Sequence, residues 1–318
     1  MTAPNRKEIL LETGTNEVEI IEFRLGRQSF GINVAKVREI IPFESEGMTE
    51  IPDCHPSIIG MVSLRQRNIP IVNLNQHLGR KPSDEENLRQ VVLICEFNDM
   101  INGFLVDGVY QIHRASWKAL KPMTAMMGGK DARVTGSINI EDREILILDV
   151  ERIITEIDPS ALMTYSDEEL AEENASFTSV RSRDQVRLIL AEDSAVIRTS
   201  IEKILQKVGY THVAAFDNGQ TALDEIERRA DAAAKKGAPI TQYLTCLISD
   251  IEMPQMDGLT LVKRVKRDMR LPVRVVIFSS LINEQMAMKC REVGADAYIT
   301  KPKAKTLVAL VDRLTLTE

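Results

Sequence analysis

Five side chains at the ends of short apolar runs mark where this chain could do chemistry. Glu192 and Asp193 end "VRLILAED", Asp250 ends "TCLISD", Ser279 ends "VVIFS", and Lys301 follows "DAYIT". Carboxylates gathered at one edge repel each other unless a cation sits among them, and a hard, all-oxygen set with room for water and a phosphate suits Mg²⁺. Lys301 brings a positive charge for an anion, and Ser279 offers a hydroxyl to the same anion. In "SDIEMPQMDG" the run breaks directly after Asp250 into a loop with Pro254 and Gly258, which leaves the Asp250 carboxylate at a strand tip. Asp257 and Gly258 read as the start of the next helix.

The elements that position these residues alternate regularly. Strand-like runs at "VRLILAED", "THVAAF", "TCLISD", "VRVVIFSS" and "DAYIT" are separated by helical stretches over 196–208, 218–235, 257–269, 284–293 and 303–314. Five βα units predict a parallel sheet covered on both faces, with ligands at the carboxyl ends of the strands.

The first half has a different cadence. Short Val- and Ile-rich runs such as "EIIEFRLG", "SFGIN", "IIGMVSL", "IPIVNL", "VVLICEF", "INGFLVDG" and "EILILDV", punctuated by Gly and Pro, predict an all-β unit. Helical spacing interrupts it at "VAKVREII" (34–41) and at the N-terminal "RKEILLETG", where Gly14 would be a stop. Between the halves, 156–180 carries seven acidic residues and no Lys or Arg, the composition of a solvated linker in which Ser166 and Glu169 could cap a short helix. The expected division is an N-terminal helical segment over 1–16, a β unit over 17–155, a linker over 156–184 and an α/β unit over 185–318.

With 318 residues, two cores are expected. A net charge of −7 argues against nucleic acid, which needs a basic face, and no apolar run reaches the ~18 residues of a membrane span. The four cysteines lie far apart without a CxxC, so they read as reduced thiols and the protein as cytoplasmic. "PDCHP" reads as a turn, and Trp117 in "RASWKALKP" as an aromatic anchor under a loop.

The motifs "AEDSAVIR", "SDIEMPQMDG", "VVIFSS" and "AYITKP", in that order, resemble the receiver domain of two-component response regulators over about 186–318. The resemblance implies a flavodoxin-like (βα)5 fold with strand order 2-1-3-4-5 and Asp250 as phosphoacceptor. It implies Mg²⁺ held by Glu192, Asp193, Asp250 and the backbone carbonyl of Glu252, with Lys301 and Ser279 on the phosphoryl oxygens and Tyr298 following as a switch. Glu at 192 is a departure that many receivers share.

Residues 17 to about 155, through "FRLGRQSFGINVAKVREII", "PSIIGMVSLRQRNIPIVNLNQHLG", "GFLVDGVYQI" and "REILILDVERI", resemble the CheW-like coupling domain, a pair of five-stranded barrels. That order of domains is similar to the CheV family of chemotaxis proteins. It implies an adaptor rather than an enzyme, with the histidine kinase CheA and the cytoplasmic tip of chemoreceptors as partners, recruitment to membrane receptor arrays, and control by phosphorylation of Asp250. Glu39 and Arg65 fall at the family's receptor groove, where Gln66 replaces the frequent Gly. Two alternatives are a tethered phosphate sink for the kinase and a Mg²⁺-dependent phosphatase of haloacid-dehalogenase type. The latter would want an Asp two residues after the nucleophile, where this chain has Glu252.

Overall fold

The computed structural model describes residues 16–83, 89–97, 100–123, 133–159, 181–282, 284–301 and 303–317. The expected N-terminal helix with its stop at Gly14 and the Ser166–Glu169 cap lie outside the described residues.

The first unit has two sheets. One joins β1 (Glu17–Leu25), β2 (Gln28–Asn33), β8 (Gly108–Ser116), β9 (Lys121–Pro122), β10 (Val134–Ile140) and β11 (Arg143–Leu148) in the order β8-β1-β2-β11-β10-β9. The other joins β3 (Val37–Pro42), β4 (Ile58–Leu64), β5 (Arg67–Asn73), β6 (Val91–Phe97) and β7 (Met100–Val106) in the order β3-β6-β7-β5-β4. Each is antiparallel except for one parallel pair, β2 with β11 and β5 with β7. The expected pair of five-stranded barrels is present as two barrel-like sheets, one extended by the two-residue edge strand β9.

Alternation along the strands sends side chains to opposite faces, and each sheet closes over its own core. Val18, Ile20, Trp117, Leu120, Ile138 and Ile145 fill one, and Ile69, Ile71, Val92, Ile94 and Leu105 the other. A third cluster, with Phe23, Phe30, Leu93 and Phe104, joins the sheets beneath the helix Val150–Ile157, which contributes Val150, Ile153 and Ile154. We label that helix α2, after the single turn α1 (Leu74–His77). Asp149 caps α2, its Oδ1 accepting from Arg152 N at 2.9 Å.

One expectation is corrected here. Residues 34–41 are not a helix: Val34–Lys36 make one 3₁₀ turn and Val37–Pro42 pair with β6. Val37, Ile40 and Ile41 satisfy helical spacing but are β-branched, and an edge position open on β6 decides for the strand.

In the second unit β12 (Arg187–Ala191), β13 (His212–Phe216), β14 (Cys246–Ser249), β15 (Arg274–Ser279) and β16 (Ala297–Thr300) form a parallel sheet in the order β13-β12-β14-β15-β16. Leu188 and Leu190 of β12 pack with Ile201 and Leu205 of α3 (Ala195–Lys207) and with Leu307 and Val311 of α7 (Ala304–Thr315). Ile189 and Ala191 face the other way, toward α4 (Gly219–Lys235), α5 (Gly258–Lys263) and α6 (Glu284–Val293), through Leu223, Ile226, Leu261, Val262 and Cys290. A strand buried on both faces reads as a continuous apolar run, which is how "RLILA" reads. Arg183, in the stretch assigned to the linker, is tied to this unit by Asp312 at 2.6 Å and the Val208 carbonyl at 2.8 Å.

Candidate functional site

The carboxyl ends of β12 and β14 lie side by side, with Ala191 opposite Ser249, so the residues that follow them meet. Glu192, Asp193 and Asp250 gather within 4.8 Å of one another. Lys301, one residue beyond β16, extends its ammonium to 2.8 Å from both Glu192 Oε2 and Asp250 Oδ2. Glu192, Asp250 and Lys301 are 1%, 3% and 1% exposed.

The loop after Asp250 explains its own sequence. Gly258 lies so close to the Asp250 carbonyl that a Cβ would stand 1.8 Å from that oxygen, so only glycine lets α5 begin there. Asp257 caps α5, accepting from Thr260 N at 2.8 Å and Thr260 Oγ1 at 2.7 Å, and is therefore a helix-starting residue.

Charge is crowded in this pocket. Burial pushes Glu192 and Asp193 well above the usual carboxylate range, and repulsion from Asp250 adds to it. Lys301 is also desolvated, but Asp250, Glu151 and Glu192 hold its ammonium protonated well above the usual lysine range. Glu192 and Asp193, driven toward protonation by burial and by the neighbouring Asp250 charge, are oxygen donors that a divalent cation beside them would relieve, so the residues fit Mg²⁺.

The structure treats the remaining expected residues differently. Ser279 ends β15 fully buried. Tyr298 is half-buried on β16, its hydroxyl accepts from Arg291, and it makes none of the described contacts of the acidic pocket. Glu252 turns its side chain out of the receiver: Oε1 accepts from Asn33 at 2.6 Å, and Oε2 pairs with the Lys36 ammonium at 2.8 Å. Arg65 pairs with Glu39 at 3.0 Å. Arg65 and Gln66 form the β4–β5 turn at φ 49° and 67°, the left-handed region that glycine occupies without strain. "PDCHP" is a turn, with Cys54 Sγ 3.6 Å from the Ile58 carbonyl, and Trp117 is buried in the β1 core.

Sequence reading missed the contribution of the first unit. Lys36, after β2, and Glu151, on α2, reach across into the acidic pocket. Lys36 Nζ stands 3.0 Å from Glu151 Oε1, the same oxygen accepts from Ser280 Oγ at 2.6 Å, and Glu151 Oε2 lies 3.6 Å from Lys301. Burial would raise Glu151, but Lys301 and Lys36 bring it down to about 2. Backbone contacts continue the junction: Gln255 N donates to the Trp117 carbonyl at 2.8 Å, and Asn16 bonds both Gln255 O and Asp257 N at 3.0 Å. The sequence carries one faint signal for this, a Lys and a Glu set among the apolar residues of "NVAKV" and "DVERII".

Fold and pocket together define a CheW-like domain joined to a response regulator receiver. The family model described as "CheW-like domain" matches residues 19–158, and the one described as "Response regulator receiver domain" matches 188–312. Over 313 residues the chain is 32% identical to the chemotaxis protein CheV3 of Helicobacter pylori, covering 94% of this chain and 95% of that one. It is 23% identical over 314 residues to CheV1 of the same species, covering 93% and 92%. The CheW protein of Thermotoga maritima is 29% identical over 147 residues, which is 46% of this chain and 94% of that protein. The chain belongs to the CheV family of chemotaxis proteins.

Proposed function

We propose that this protein is an adaptor that couples chemoreceptors to the histidine kinase CheA and that phosphorylation of Asp250 regulates the coupling. The observation that carries the reading is the meeting of Asp250 with Glu192, Asp193 and Lys301 at the carboxyl edge of the parallel sheet.

In this reading an Asp250 carboxylate oxygen attacks the phosphorus of the kinase phosphohistidine, the P–N bond breaks, and the histidine nitrogen leaves with the electron pair. Glu192, Asp193, Asp250 and the backbone carbonyl of Glu252 would hold Mg²⁺, which supplies charge neutralisation at the phosphoryl oxygens. Lys301 transfers its ion pair from the Asp250 carboxylate to the phosphoryl group on it. Ser279, buried at the end of the neighbouring strand, donates its hydroxyl to the same group, and Tyr298 repacks after it. The phosphatase alternative needs a carboxyl two residues after the nucleophile that is free to move a proton, whereas Glu252 is engaged by Asn33 and Lys36.

The Glu39–Arg65 pair then lies on the face used for receptor or kinase. Among the described residues no helix is long and apolar enough to cross a membrane, so recruitment to receptor arrays goes through these protein contacts.

The test is transfer of radiolabelled phosphate from CheA phosphohistidine to the full-length chain. Label on wild type and none on Asp250→Asn is expected. An unlabelled wild type, or equal labelling of the variant, would refute the assignment.

A further inference from the structure

The junction between the two units passes through the acidic pocket, and what the first unit inserts there has the chemistry of the pocket's proposed ligands. Lys36 is a cation set beside Glu252 and lines the same cavity as Asp193 and Asp250. Glu151 is an anion set against Lys301 and Ser280, the residue after Ser279.

We propose, on the reading of Asp250 as phosphoacceptor, that Lys36 and Glu151 are built-in blocks that wall off the cation and phosphoryl places of the receiver. The phosphorylation site is therefore closed until the coupling domain lets go.

Space argues first. The cavity left between the units, lined by Asn33, Lys36, Trp117, Glu151, Asp193 and Asp250 among others, is about 40 Å³. That holds one or a few waters at about 10–15 Å³ each, not the phosphorylated histidine of a kinase. With Asp250 3% exposed, in-line attack on such a donor cannot occur in this arrangement.

Charge argues next. Among the described residues six carboxyl groups, Asp149, Glu151, Glu192, Asp193, Asp250 and Glu252, stand around the pocket against two ammoniums, Lys36 and Lys301, and the Arg198 guanidinium, which donates to the Glu192 and Asp193 carbonyls. A phosphoryl group on Asp250 adds negative charge at Lys301, where Glu151 already sits, and like charges in a desolvated pocket repel. A divalent cation among Glu192, Asp193 and Asp250 likewise repels Lys36. Both events push on the first unit.

The closed junction is also imperfectly satisfied. Glu151 Oε2 is buried without a hydrogen bond, 3.6 Å from the Lys301 ammonium. Such an atom weakens the closed state relative to one in which water reaches it. Opening uncovers Asn33, Lys36 and the start of α2, so phosphorylation of one unit changes the exposed surface of the other.

The chain contains one tryptophan, Trp117, and its carbonyl is bonded across the junction to Gln255. Its emission is a direct reporter. The experiment uses full-length wild type, Lys36→Ala, Glu151→Ala and Asp250→Asn, each checked for folding by circular dichroism, with acetyl phosphate and Mg²⁺. Acetyl phosphate gives its phosphoryl group to the carboxylate and leaves as acetate.

Labelling of Lys36→Ala and Glu151→Ala at least fivefold faster than wild type is expected. Trp117 emission of wild type should shift to longer wavelength as label accumulates, with no shift in Asp250→Asn. Should either variant fail to fold, the wild-type emission shift alone decides. Equal labelling rates with an unchanged Trp117 spectrum in fully labelled wild type would overturn the proposal while leaving Asp250 as phosphoacceptor. No labelling of any folded protein would instead remove the phosphoacceptor reading beneath it.

Discussion

Two ion-pair groups in this chain are legible as charges in the sequence, and the structure gives them opposite settings. Lys301 with Asp250 and Glu192 is nearly sealed from water, whereas Arg65 is 68% exposed in its pair with Glu39. At similar distances the energetics differ through the surroundings. In the sealed group each charge depends on the others, since a desolvated ion without a partner costs several kcal/mol. In the exposed pair water and salt replace the partner almost fully. Burial, more than distance, separates a group that can act as a switch from one that trims a surface.

Breaking the sealed group should have the largest effect. Lys301→Met leaves Asp250 and Glu192 facing each other and should cost the receiver about 3–5 kcal/mol in denaturant unfolding without Mg²⁺. A loss below that of Arg65→Ala would erase the contrast. Next in size, Mg²⁺ at ten times its dissociation constant should stabilise wild type by about 1.4 kcal/mol, removed by chelator and absent in Asp193→Asn. Thermal unfolding with and without the metal reads this directly.

The exposed site should respond weakly. Gln66→Gly relieves a left-handed residue at the β4–β5 turn at the expense of unfolded-state entropy, for a net gain of about 0.5 kcal/mol by equilibrium unfolding. Smallest of all, Arg65→Ala should change stability by less than about 0.5 kcal/mol, and any strong effect of it should appear in binding of receptor or kinase instead.

The same contrast governs what could be read in advance. The residues of the receiver pocket were legible because their chemistry is local: each sits at the end of a buried strand, and a parallel sheet brings strand ends to one edge. Gly258 was legible as a turn residue, though its reason, the contact with the Asp250 carbonyl, needs coordinates. Val34–Ile41 misled because a short β-branched run at an edge fits helical spacing as well as strand alternation, and pairing with β6 settles it. Lys36, Asn33 and Glu151 stayed hidden because a domain junction has no periodicity. Each is an ordinary polar residue near the end of an element, and only docking brings it to Glu252, Ser280 and Lys301.

The central claim is regulated coupling, and reconstitution tests it most directly. Full-length wild type or Asp250→Asn would be mixed with a chemoreceptor signalling fragment and CheA, and co-sedimentation and kinase activity followed with and without ATP and Mg²⁺. The account predicts that both proteins join kinase to receptor and that ATP changes the coupling only when Asp250 is present. Identical coupling by both proteins in ATP, with phosphate merely drained through wild type, would contradict it and leave a tethered phosphate sink.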